Sequence, residues 1–292
     1  MRVKVHLFVN LRGRPYSTIT PVLRASEIDA PARAAKPSPF GISALALWED
    51  DPGLSRLREA LADLGIDNVE RRELVFMDEE LRAAPLLRML VRRAPRGLGG
   101  PAHGTEYDLS AACPCCGTGA VQVSPLVVRR SDVPGRGGVV ETAHGEIVVS
   151  VETAEAFRDV SGVELRPLRA VRSREELFWL QVIAETELPP WSGGTTGGAR
   201  ERPCQTCGRD GYFDSLEQPL RLAYDAREVD PGSLPDVVRT YECFGNSVLR
   251  RESPSDSRFA QPLTLVKPRV RDRLIRAGAR NLAFEPVMVV RA

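Results

Sequence analysis

Two segments far apart in this chain carry the same chemistry. Cys113-Pro114-Cys115-Cys116-Gly117 and Cys204-Gln205-Thr206-Cys207-Gly208 each set two thiols two residues apart, with glycine immediately after. Such a turn brings both sulfurs to one point, and glycine lets the backbone curl beneath them. Two knuckles of this kind supply four thiolates, a complete tetrahedral shell. The spacing therefore predicts one structural zinc per chain, held by Cys113, Cys116, Cys204 and Cys207. A full shell leaves no open position for a reacting water, so the same motif argues against metal catalysis.

Other chemistries fit the residues less well. Cys113-Pro114-Cys115-Cys116 has the CPxC form of redox pairs, but those sit at a helix N-terminus, and Gly117-Thr118-Gly119 is hostile to a helix. His144-Gly145-Glu146, followed by Pro203-Cys204-Gln205-Thr206-Cys207, matches the H-x-E…P-C-x-x-C pattern of zinc nucleobase deaminases. Against that reading, Ile147 to Val151 is strand-like where the deaminases need a helix, glycine follows Cys207, and Cys113 and Cys116 are left without a role. Gly193 to Gly198 resembles a phosphate-binding loop, but Ala199-Arg200 stands where lysine and a hydroxyl residue are required. The three histidines, His6, His103 and His144, come with neither a GxSxG elbow nor an HExxH helix. His103 is near enough to the first knuckle to replace a ligand, although four cysteines already suffice. Trp191, Tyr212 and Phe213 are either a stacking platform for nucleic acid or aromatic packing over the metal, and without a basic patch around them packing is favoured. Arg166, Arg169, Arg172 and Arg174 are offset by Glu175 and Glu176 and read as a solvated face. Cys115 and Cys243 remain, and both are expected to be small buried structural thiols.

The elements that must position the cysteines can be read in outline. The 292 residues suit one large domain or two ordinary ones, and 42% hydrophobic content builds a core without help from metal. Lysine and arginine total 40 against 39 acidic residues, so a net charge of +1 gives no global pull toward nucleic acid or anionic lipid. Residues 1–12 are too short and interrupted for a secretory signal, and no apolar run reaches the ~18 residues of a membrane span. These features predict a cytoplasmic protein, where paired CxxC motifs favour metal over disulfide.

Residues 1–12 alternate as a strand, a proline-rich connection follows through Pro39, and Leu54, Leu57, Leu61 and Leu64 mark an amphipathic helix capped by Gly65. Leu81 to Val91 reads as a second helix with Pro85 in its first turn, and Val121 to Val128 as a strand. The glycine-rich stretch Arg96 to Gly104 is the expected boundary between an N-terminal α/β region (1–100) and a double-CxxCG α/β domain (101–292). Within the latter, Val148–Val171 and Leu265–Val290 align with two residues inserted: Val149 with Val266, Phe157 with Leu274, Pro167 with Pro286. Each reads as strand, amphipathic helix, strand, with the prolines requiring an edge or a bulge. Leu57–Met77 aligns on Val270–Val290 as a fainter third copy. The expected fold class is α/β (α+β), with mixed sheets, a zinc-knuckle pair and a duplicated strand–helix–strand unit.

The paired knuckles, the Cys207-Gly208-Arg209 run with Tyr212 and Phe213 close behind, and the closing segment Leu274 to Val287 resemble the double-CXXCG paralogous family of myxobacteria. The resemblance spans residues 105–292 and leaves residues 1–100 without a counterpart. It implies an immunity protein that neutralises a cognate toxin polypeptide by stoichiometric binding, with structural zinc and without catalysis. The alternatives from other classes are a nucleic-acid-binding zinc ribbon and a zinc deaminase or hydrolase.

Overall fold

The computed structural model describes residues 1–10, 26, 42–92, 97, 99–133, 138–172, 176–215 and 218–291. The proline-rich connection falls outside these residues. The chain divides into two compact units, Met1–Met77 with Asp214–Leu220, and Asp78–Phe213 with Arg221–Ala292. The division lies at Met77/Asp78 and not in the glycine-rich stretch near residue 100.

The first unit holds β1 (Arg2–Asn10), β2 (Ile42–Trp48), α1 (Pro52–Asp63) and β3 (Asn68–Val75). In β1, Val5, Leu7 and Val9 alternate inward and are fully buried, as period-two patterning requires. Leu45 and Leu47 of β2 and Leu54, Leu57 and Leu61 of α1 complete that core. Asp51 caps α1 by accepting the Gly53 N–H at 2.8 Å, and Pro52 takes the first helical position. Gly65, at φ +59°, ends the helix in the left-handed region. The strand order is β2-β1-β3, with β1 antiparallel to both neighbours. The unit is thus a strand–helix–strand whose gap is filled by the strand that precedes it.

The second unit begins with α2 (Asp78–Ala83) and β4 (Leu86–Val91). The single helix expected over Leu81 to Val91 is therefore corrected. Proline bars its preceding residue from helix, so α2 stops before Pro85. Leu86 to Met89 are then all buried, as suits a strand covered on both faces and defeats a reading by periodicity. There follow β5 (Tyr107–Asp108), β6 (Val121–Gln122), β7 (Val127–Val128), β8 (Val139–Glu141), β9 (Ile147–Ser150), α3 (Val151–Ala154), β10 (Val163–Ala170) and β11 (Glu176–Ala184). Ser124 and Pro125 break the expected Val121 to Val128 strand into β6 and β7. The chain continues through β12 (Thr186–Glu187), β13 (Gly198–Arg200), β14 (Tyr212–Asp214), β15 (Ala223–Asp225), β16 (Val237–Phe244), β17 (Gln261–Val266), α4 (Pro268–Arg276) and β18 (Leu282–Val290). This is an α+β fold with mixed sheets.

The two main sheets have the orders β7-β10-β11-β9-β8 and β15-β18-β4-β17-β16-β12. Both aligned segments run strand–helix–strand, and Phe157 and Leu274 are both buried. The correspondence goes much further. Leu180 faces Pro167 and Val149, while Leu87 faces Pro286 and Val266. Val139 faces Val149 as Val237 faces Val266. Two residues beyond each proline, Arg169 pairs in parallel with Val127 and Met288 with Ala223. Even a loop bond repeats: Thr142 Oγ1 accepts the Glu146 N–H at 3.2 Å, and Thr240 Oγ1 accepts the Leu263 N–H at 3.0 Å. Both prolines sit where the short edge strands β7 and β15 do not reach, so neither leaves a ladder bond unmade.

The second unit is therefore a tandem duplication, one copy running from β4 to β10 and the other from β11 to β18. Each copy opens with the strand that fills a gap, as β1 does in the first unit. Here the strands are exchanged. The first copy's β4 lies between β17 and β18, and the second copy's β11 lies between β9 and β10.

Candidate metal centre

Each copy contributes one CxxCG turn, between β5 and β6 in the first and between β13 and β14 in the second. The two turns are built alike. Gly117 N–H donates to the Cys113 carbonyl and Gly208 N–H to the Cys204 carbonyl, each at 2.8 Å. Both glycines have positive φ, +82° and +64°. At Gly117 a side chain is also barred by space, because a Cβ there would lie 2.5 Å from the Phe259 ring.

The turns meet. Cys113 Sγ lies 3.8 Å from Cys204 Sγ, and Cys116 Sγ lies 3.6 Å from Cys207 Sγ. All four sulfurs are within 4.8 Å of one another. Tetrahedral zinc–sulfur bonds of about 2.3 Å set sulfur–sulfur edges of about 3.8 Å, so the cluster fits a single metal ion. Cys116 is buried and the other three are partly so. Burial pushes the Cys116 and Cys207 thiols up. At Cys204 burial is outweighed by the backbone N–H groups of Cys207 and Thr206 and by the neighbouring thiols, which bring it down to about 6. A cluster with Cys204 poised to ionise while Cys116 and Cys207 resist is what a cation resolves, since it stabilises thiolates together.

Behind the sulfurs runs a buried polar chain that joins the turns. Thr118 Oγ1 lies 3.0 Å from Cys116 Sγ and donates to Ser247 Oγ at 3.0 Å. Ser247 N–H donates to Asp210 Oδ2 at 2.9 Å, and Asp210 Oδ1 accepts the Cys204 N–H at 2.8 Å. Thr118, Asp210 and Ser247 are all buried. Such outer contacts fix the ligand turns in place. Sequence reasoning misses this chain. Thr118 and Asp210 sit just past each CxxCG, where short polar side chains are a usable signal, but nothing local marks Ser247.

The remaining candidates lie elsewhere. Among the described residues, the metal-binding cluster comprises the four cysteines, without His103, His144 or Glu146. The H-x-E residues of the deaminase pattern occupy the turn after β8 instead. Glu146 is buried there, with its carboxyl raised to about 8 by burial and hydrogen-bonded by the Thr142 hydroxyl. Burial, with the charges of Arg258 and His103, holds His144 below the usual histidine range. Trp191, Tyr212 and Phe244 pack on one another, the Trp191 and Tyr212 rings edge to face at 4.8 Å. Arg166 forks onto Glu164 at 2.9 and 2.7 Å. Cys243 is buried as expected, but Cys115 is exposed, which corrects the second expectation: the third position of the CPxC turn lies outside the four-cysteine cluster. No described helix is long and apolar enough to cross a membrane.

Compared with models of known protein families and with curated proteins, the chain matches none.

Proposed function

We propose that the protein acts by stoichiometric binding of a partner polypeptide, without turnover, and that its four-cysteine centre holds a structural zinc. The sulfur geometry carries this reading. Four thiolates at tetrahedral spacing close the shell, and zinc so enclosed offers no position to a reacting water. When bound, the metal supplies a cross-link between the two copies. A cross-linked scaffold suits tight binding, because less ordering entropy is lost on contact.

The resemblance to the double-CXXCG family supports a toxin as the partner and the cytoplasm as the place of action, making this an immunity protein. With a net charge of +1, steering toward that partner comes from a local patch and not from a global field. Mutual packing of Trp191, Tyr212 and Phe244 favours this reading over a nucleic-acid stacking platform.

Protein purified without chelator is expected to carry one zinc per chain. Co-expression with a toxin encoded beside it is expected to restore growth and yield a stable complex, and deletion of residues 105–292 to abolish both. Restoration by substoichiometric protein, with the toxin chemically altered and no complex recovered, would reveal an enzyme.

A further inference from the structure

The duplication separates what the fold requires from what one copy has added. The first copy passes from Thr142 to Glu146 in a tight turn, and the second passes from Thr240 to Leu263 through an excursion over residues 241–262. The matched Thr142 and Thr240 bonds fix both ends of the comparison. The excursion folds over the first knuckle and is firmly braced. Val248 and Arg258 form a bridge pair, Ser257 Oγ accepts the Arg250 N–H at 2.9 Å, and Phe259 packs on Tyr107 at 4.9 Å.

Despite that bracing, it leaves a recess of about 770 Å³ between itself and the segment from Pro101 to Pro114. That volume is in the range of binding sites. Leu249, Phe259 and Tyr107 give it an apolar lining, and Leu109 stands at its edge 41% exposed. Arg250 and Arg251 also line it. Among the described residues neither has a carboxylate partner, and Arg251 donates only to the Pro114 carbonyl at 3.1 Å. Elsewhere in this unit arginines pair with acids, as Arg166 does with Glu164 at 2.7 Å and Arg209 with Glu187 at 2.8 Å. Glu106 lines the recess as well. A continuous polyanion meets repulsion from Glu106, whereas a peptide with one acidic side chain is spared it.

We propose that this recess docks a peptide segment of a partner in which an acidic residue neighbours an apolar one. The apolar side chain fills the space over Leu249, Phe259 and Leu109, and the carboxylate pairs with Arg250 and Arg251. The inference rests on the reading that the protein binds a polypeptide, and it names the chemistry of the segment bound.

A phage library of random peptides panned on the zinc-loaded full chain tests it, with the surface variant Leu109→Asp as the subtraction control. The expected result is enrichment of sequences placing Asp or Glu beside a large apolar residue. Synthetic peptides of that kind, followed by fluorescence anisotropy, should bind about tenfold more weakly or worse to Leu109→Asp and to the Arg250→Glu/Arg251→Glu double variant, both melting as wild type does. No enrichment over the control, enriched peptides without an acidic residue, or affinities unmoved by the variants overturn the proposal. So does a single-stranded oligonucleotide that binds wild type and is lost in the variants, since it assigns the recess to nucleic acid. Toxin neutralisation that survives in both variants, with no peptide selected, removes the recess and leaves the binding function standing. Peptides selected as expected, with no toxin neutralised, do the reverse.

Discussion

Strand exchange places an unusual burden on β4, which two N-terminal truncations isolate. A chain of residues 78–292 keeps α2 and β4, and one of residues 101–292 loses both. Leu86 and Leu87 are fully buried and Met89 is 5% exposed. Burying side chains of this size contributes about 1.5–3 kcal/mol each, so the three together contribute about 5–9 kcal/mol. β4 also pairs with β17 at Leu265 and Val266 and with β18 from Leu282 to Val287. Each lost ladder bond costs about 1 kcal/mol more. Arg271, which donates to Asp78 at 2.5 Å and to Asp272 at 2.8 Å, loses the first of these partners too. Against a total stability of about 5–15 kcal/mol, these losses are enough to unfold the six-stranded sheet. Urea titration followed by circular dichroism is the assay. The 78–292 chain should unfold cooperatively, and the 101–292 chain should show a collapsed transition that an added peptide of residues 78–97 partly restores. Equal urea midpoints for the two chains would refute the assignment of β4 as the second copy's missing centre.

Three further outcomes are expected. With zinc about 1,000-fold above its dissociation constant the metal contributes about 4 kcal/mol, so Cys204→Ser should lower the melting temperature by about 8–16 °C and make it indifferent to chelator. Cys243→Ser changes one buried thiol, and its smaller shift should leave chelator sensitivity intact; equal shifts would sink the ligand assignment. Gly117→Ala drives a methyl into the Phe259 ring, whereas Gly208→Ala meets only the flexible end of Arg200 at 3.0 Å, so Gly117→Ala should cost about 1–3 kcal/mol more by urea titration. Burial raises Glu146 to about 8 from 4.5, so between those values the folded chain retains a proton that the unfolded chain releases. Stability is therefore full below about pH 4.5 and falls as pH rises toward 8. Glu146→Gln should abolish that slope and, above about pH 8, gain on wild type by a few kcal/mol, on the order of the shift itself; parallel pH–stability curves would exclude it.

What was legible in the sequence was local. The CxxCG turns carry their own geometry, and the spacing of Leu54, Leu57 and Leu61 declares α1. The alignment of Val149 with Val266 and Pro167 with Pro286 matches the observed ladder register. What was hidden depends on pairing across long separations, which no local period encodes. β4 reads as a helix because a strand covered on both faces shows no alternation, with Leu86, Leu87, Arg88 and Met89 all buried, and its partners lie far along the chain. The boundary at residue 100 was misplaced for the same reason: glycines mark a flexible link but not which side of it the preceding strand joins. The faint third copy at Leu57–Met77 runs helix then strand, as Val270–Val290 does. The likeness that the structure adds is one of topology, with β1 between β2 and β3.

Exchange of β4 and β11 sets a timetable for the nascent chain. Arg88 and Glu285 are partners 197 positions apart. At about 5–20 residues per second, β4 leaves the ribosome roughly 10–40 seconds before the last strand it pairs with. Early in that interval β9 and β10 emerge with a vacancy between them, and β11 begins only six residues after β10 ends. β4 is the topological equal of β11 and is the strand at hand. β11 is complete about 1–3 seconds after β10, so the vacancy has its own strand almost at once, while β4 waits for β17 and β18, the partners that the chain makes last. The first knuckle waits only 91 residues for its twin, so all four thiols are present 75 residues before β18 begins, and the cysteine cluster precedes completion of the sheet.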